Sequence, residues 1–195
     1  MNEETTKIEE TTMNEKTAKK EKNIKKEILS YVRVIAIAVV CGLIINYTII
    51  ASAHVVSGSM ENTIMTDSRV MGLRLTYLVS KPNRFDIILF HPPEGEVSEH
   101  PYIKRIIGLP NEKIEIIDGK VYINDSTTPL EEDYVKDIAH GSFGPFEIPE
   151  NSYFVMGDNR NGSSDSRHWI NSFVTKKSII AKLYLEYFPS PHFLD

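Results

Sequence analysis

The chain has 195 residues, 22 Lys+Arg against 27 Asp+Glu, 41% hydrophobic residues and a formal net charge of −5. That length holds one domain with its own core, or one domain plus an anchor, but not two large domains, and the acidic balance argues against nucleic acid as a partner. A single cysteine, Cys41, excludes an intramolecular disulfide and a thiolate cluster, and the six histidines show no metal-ligand spacing, so no metal is expected.

Residues 1–27 are almost all Glu, Lys, Thr and Asn, too poor in apolar groups to offset the entropy of ordering a backbone, and read as a charged, disordered tail. From Val34 to Ala53 the residues are apolar, and no formal charge stands between Arg33 and Glu61. Twenty residues at 1.5 Å each make a helix of about 30 Å, the thickness of a bilayer core. A single membrane anchor is therefore predicted over residues 28–53. Lys19, Lys20, Lys22, Lys25, Lys26 and Arg33 crowd its N-terminal side, which places the tail in the cytosol and residues 54–195 outside. Ala51-Ser52-Ala53 has the small-x-small form of a secretory cleavage site, but the apolar stretch is longer than a signal peptide needs, which favours a retained anchor.

Beyond the anchor, apolar residues alternate or cluster in short runs, at Val70–Val79, Phe85–Phe90, Tyr102–Ile107, Lys113–Ile117, Lys120–Ile123, Tyr153–Met156 and Ile179–Phe188. Asp118-Gly119 between two of these runs marks a tight hairpin, and prolines punctuate the rest too often for long helices. There is no internal repeat, no βαβ alternation and no phosphate-binding glycine loop. The spacing predicts a mainly β, antiparallel domain behind one transmembrane helix.

Three segments carry polar residues that strand patterning does not require. They are Ser57-Gly58-Ser59-Met60; Tyr102-Ile103-Lys104-Arg105 running into Gly108-Leu109-Pro110; and Gly157-Asp158-Asn159-Arg160 with Ser163-Ser164-Asp165-Ser166-Arg167. Alone, each reads as a turn, a snorkelling lysine or a solvated loop. Together with Arg84-Phe85-Asp86-Ile87-Ile88-Leu89-Phe90, and in this order behind an anchor, they resemble the bacterial type I signal peptidases, membrane-bound Ser/Lys proteases. The resemblance covers roughly residues 30–188, and the domain has the length of the shorter form typical of Gram-positive bacteria.

The resemblance implies that Ser59 is the nucleophile and Lys104 its general base. A serine needs a base, and a lysine serves as one at neutral pH only when desolvated. It assigns the oxyanion hole to the Ser57 hydroxyl and the Ser59 N–H, the orientation of Lys104 to Ser163, and structural support to Asp158, Arg160, Asp165 and Arg167. Asp86 matches an acidic position with no catalytic need. The substrates implied are exported preproteins with small residues before the cut, cleaved at the outer face against the lipid, with no metal or organic cofactor. Two departures adjoin the reacting groups, where Asn62 replaces the usual proline and Gly162 the usual asparagine. Both are expected to loosen the backbone. They leave open the role in pilin assembly that some members of the family serve, including that of an anchored assembly factor for pilins or surface proteins with little turnover.

Overall fold

A computed structural model of the chain describes residues 26–194 except 28, 97, 99 and 138. The tail predicted over 1–27 lies, up to residue 25, outside the described residues. Two compact units are present, divided between Asn46 and Tyr47. The first is built on helix α1, Leu29–Thr48, which is apolar, unburied along its length, and long enough to cross a bilayer. This helix ends earlier than hydropathy placed it. Ile49 is a turn, and Ile50–His54 form strand β1, paired with β2 (Arg69–Leu73) so that Ala51 faces Gly72 and Ala53 faces Val70. Residues 50–53 therefore belong to the folded unit. Hydropathy cannot separate the end of a membrane helix from an apolar strand that follows it directly; the burial of Ala51 in the sheet makes the distinction.

Every strand pairing of the second unit is antiparallel. The remaining strands of its large sheet are β3 (Ile87–Phe90), β4 (Tyr102–Gly108), β8 (Ser152–Met156), β9 (Val174–Thr175), β10 (Ile179–Phe188) and β11 (His192–Phe193). They run in the order β1-β2-β10-β3-β4-β8-β9, with β11 added to β10. A three-stranded sheet, β6-β5-β7, comprises β5 (Lys113–Ile117), β6 (Lys120–Ile123) and β7 (Phe143–Glu147). Asp118 and Gly119 both have positive φ, 48° and 78°, the geometry of a two-residue hairpin turn, and Ile117 pairs with Lys120 across it. The run Val70–Val79 is strand only to Leu73; Thr76–Val79 form a short helix, α2.

Three apolar clusters hold these layers together. Ile114, Ile116 and Val121 of the small sheet pack with Ile107, Phe154 and Met156 of the large one. Ile88, Phe90, Ile106 and Val155 pack with Trp169 on a loop. Val55, Met60 and Ile64 pack onto Val70, Ile87 and Leu183. This last cluster seats the Ser57–Met60 loop, because Met60 is almost wholly buried in it.

Candidate active site

Met60 anchors a 3-10 turn, Gly58–Met60, that carries Ser59 at the edge of a cavity of about 370 Å³. The Ser57 and Ser59 hydroxyls lie 3.4 Å apart, and both line that cavity. Lys104 lines it from β4. Side chains alternate along a strand, so Lys104 and Arg105 project to opposite faces. Arg105 is paired beneath the sheet with Asp158, its Nη2 2.8 Å from Oδ2. Lys104 is 4% exposed and has no ion-pair partner among the described residues. Burial lowers its pKa to about 8; Asp165 and Asp158 pull it up and Arg167 pushes it down, without reversing the effect.

Ser163 lies close to the Ser59 backbone, against Gly157 at the end of β8. A Cβ added to Gly157 would stand 2.3 Å from both Ser163 Oγ and the Ser59 carbonyl oxygen, so only glycine lets the three segments converge. The Ser163 hydroxyl donates to Asp165 Oδ2 at 2.7 Å, which spends its proton and leaves its lone pairs as acceptors. Asp165 also accepts from the Gly157 N–H at 3.0 Å and from Arg167 Nε and Nη2, each at 2.8 Å. Burial alone would push its carboxyl up, but these donors hold it below the ordinary carboxylate range.

The four residues expected to support the site, Asp158, Arg160, Asp165 and Arg167, are held in separate pairings. Only Asp165 and Arg167 pair with each other. Asp158 takes Arg105 and the Thr63 hydroxyl, the latter at 2.5 Å, and Arg160 takes Glu132. Tyr134 completes the set, its ring 4.1 Å from the Arg105 guanidinium carbon and its hydroxyl donating to Glu132 at 2.6 Å. Arg105 was detectable from its alternation with Lys104. Glu132 and Tyr134 come from a loop with no local signal. Asp86 accepts from Lys182 Nζ, the Tyr77 hydroxyl and the Asn83 N–H, so its role is to tie β3 to β10.

Asn62 and Gly162 each occupy a distinct local geometry. Asn62 sits at φ 78°, a left-handed conformation that asparagine tolerates and proline cannot adopt. Gly162 is crowded by Asn159, whose Nδ2 would lie 2.6 Å from an added Cβ. Asn159 itself bridges two loops, donating from Nδ2 to the Gly58 carbonyl at 2.9 Å and accepting the Gly162 N–H at Oδ1 at 3.0 Å.

A family model described as signal peptidase, peptidase S26, matches residues 28–188. The signal peptidase I of Leptolyngbya laminosa is 34% identical over 163 residues, 81% of this chain and 78% of that one. Signal peptidase I S of Bacillus subtilis (strain 168) is 34% identical over 173 residues, 83% and 90% of the two chains. A crystal structure of a signal peptidase I from Enterococcus faecalis V583, 34% identical, aligns with a TM-score of 0.45 over 53% of this chain and 97% of that one.

Proposed function

Because the chain belongs to the signal peptidase family, peptidase S26, and is thereby a peptidase that removes signal peptides from preproteins, we propose that it does so with Ser59 as nucleophile and Lys104 as general base. The observation that carries this reading is a buried lysine without an ion-pair partner among the described residues, opening onto the same cavity as a serine hydroxyl. A lysine with a pKa about 8 is neutral in roughly a tenth of molecules at pH 7, on the order of two- to three-hundredfold more than a free one. The Asp165 carboxylate stops short of pairing with it. A direct ion pair would hold the proton and abolish the base.

In this mechanism Lys104 Nζ takes the Ser59 proton as Oγ bonds to the scissile carbonyl carbon. The resulting oxyanion accepts hydrogen bonds from the Ser59 N–H, which has no acceptor among the described residues, and from the Ser57 hydroxyl. Collapse breaks the C–N bond, and the Lys104 ammonium protonates the leaving amine, freeing the mature N-terminus. A water molecule deprotonated by Lys104 then hydrolyses the ester and restores Ser59. Ser163, its proton committed to Asp165, is left to accept an N–H from Lys104 and direct the nitrogen's lone pair.

The substrate enters extended. β8 pairs with β4 only from Arg105 onward, so Tyr102–Lys104 have a strand partner on the β3 side alone. A peptide added to that free edge sends alternate side chains into the two adjoining cavities, of about 370 and 570 Å³, which share Val56, Pro101 and Ile103. Small residues before the cut are part of this proposed reading. With the basic tail cytosolic, the domain acts on the outer face of the membrane. Cleavage of a signal-peptide-bearing preprotein in detergent by wild type, Ser59→Ala and Lys104→Met tests the reading. Both variants should be inactive while folded, and turnover in either one would refute it.

A further inference from the structure

We propose that Asn159 is a positioning residue for the oxyanion hole, a role that rests on the Ser59/Lys104 reading. Its side-chain amide donates to the Gly58 carbonyl at 2.9 Å, and its own backbone N–H donates to the Ser59 carbonyl at 3.2 Å. One residue thus grips both peptide groups that flank the nucleophile's Cα. The Gly58–Ser59 bond is not among the chain's cis peptides, so its C=O and N–H point in opposite directions. Drawing the Gly58 oxygen toward Asn159 turns the Ser59 N–H the other way. That N–H has no acceptor among the described residues, which leaves it for a substrate oxyanion.

The opposite end of the Asn159 side chain fixes its own orientation. Oδ1 accepts the Gly162 N–H at 3.0 Å, which identifies Oδ1 as the acceptor and leaves Nδ2 to face Gly58. Gly162 makes this possible, since an added Cβ would come within 2.6 Å of Nδ2. Gly162 is therefore part of the same device.

Two variants separate aiming from simple loop closure. Asn159→Ala removes both side-chain hydrogen bonds. Asn159→Asp keeps an acceptor for the Gly162 N–H, and nearly the same shape, but loses the donor to Gly58. Measured with a peptide substrate on the alkaline plateau of the full-length enzyme in detergent, both should lower kcat by about 10- to 100-fold, a little less than deletion of a whole oxyanion donor. KM should stay within twofold, and the apparent pKa of the Ala variant should match wild type because Lys104 is untouched. Affinity for a peptide aldehyde that forms a tetrahedral adduct on Ser59 should fall by the same factor as kcat/KM. Wild-type kcat in Asn159→Asp, a loss confined to KM, or a shifted pKa in Asn159→Ala overturns the proposal. Should the Ala variant fail to fold, the Asp variant decides alone. Ser59→Ala run in parallel separates the two claims. Turnover there refutes the Ser/Lys reading itself, whereas an inert Ser59→Ala beside a fully active Asn159→Asp refutes only the role of Asn159.

Discussion

Lys104 and Arg105 are consecutive on β4, both are cations, both are nearly inaccessible, and they are in opposite electrostatic situations. Arg105 holds Asp158 at 2.8 Å and faces Tyr134, whereas Lys104 faces a cavity with no partner among the described residues. The alternation of a single strand places a permanent charge where it is neutralised and a titratable one where it is not.

The first prediction concerns rate against pH. The proposed base, Lys104, works only when neutral, so kcat/KM should rise with pH through an apparent pKa about 8. A profile governed instead by a group titrating near the usual histidine range, about 6.5, with Lys104→Met still active, would transfer the chemistry to an imidazole.

The second concerns stability. A lysine whose folded pKa is depressed binds fewer protons folded than unfolded between pH 8 and 10.5, so stability rises with pH across that window. Below it the buried charge costs about 3 kcal/mol, on the order of 1.4 kcal/mol for each unit of lowering. Lys104→Met should therefore raise the detergent-solubilised domain's melting temperature at pH 7 and lose most of that advantage at pH 10.5. A destabilised variant at pH 7 would contradict the assignment of an uncompensated charge.

The third concerns the ion pair beneath the site. Arg105→Leu strands the Asp158 carboxylate, which is almost wholly buried. It should cost about 3–5 kcal/mol in urea unfolding. The double change with Asp158→Leu should recover part of that loss, because it removes the stranded charge. Additive losses would show that the pair contributes through packing alone.

The fourth turns on Asn62. Its φ of 78° lies outside the range of a proline ring. Restoring the family's proline, Asn62→Pro, should lower both stability and turnover, while Asn62→Gly should be tolerated within about 1 kcal/mol. A more active Asn62→Pro would mean that the nucleophile loop adopts the family's backbone in solution.

Much of this architecture was legible from periodicity. The runs that became β3 to β6, β8 and β10 carry alternating or continuous apolar residues, and Asp118-Gly119 marked its hairpin. β1 was hidden because an apolar strand abutting an apolar helix gives one unbroken hydropathic signal, and β7 because Phe143-Gly144-Pro145-Phe146-Glu147 has the composition of a turn. At the site, Ser57, Ser59 and Lys104 line one cavity. The choice of salt-bridge partners was not legible. Which carboxylate an arginine meets depends on strand faces and loop paths, so Arg105 with Asp158 and Arg160 with Glu132 had no local trace.

Strand β1 gives Ala51-Ser52-Ala53 a second meaning. The sequence matches what a signal peptidase looks for at the end of an apolar stretch, yet every residue of it is paired with β2. Freeing it as a lone extended chain means dismantling the sheet edge next to Val55 and Met60. Pairing with β2 thus keeps this small-x-small segment inside the folded sheet, where no part of it stands as a lone extended chain.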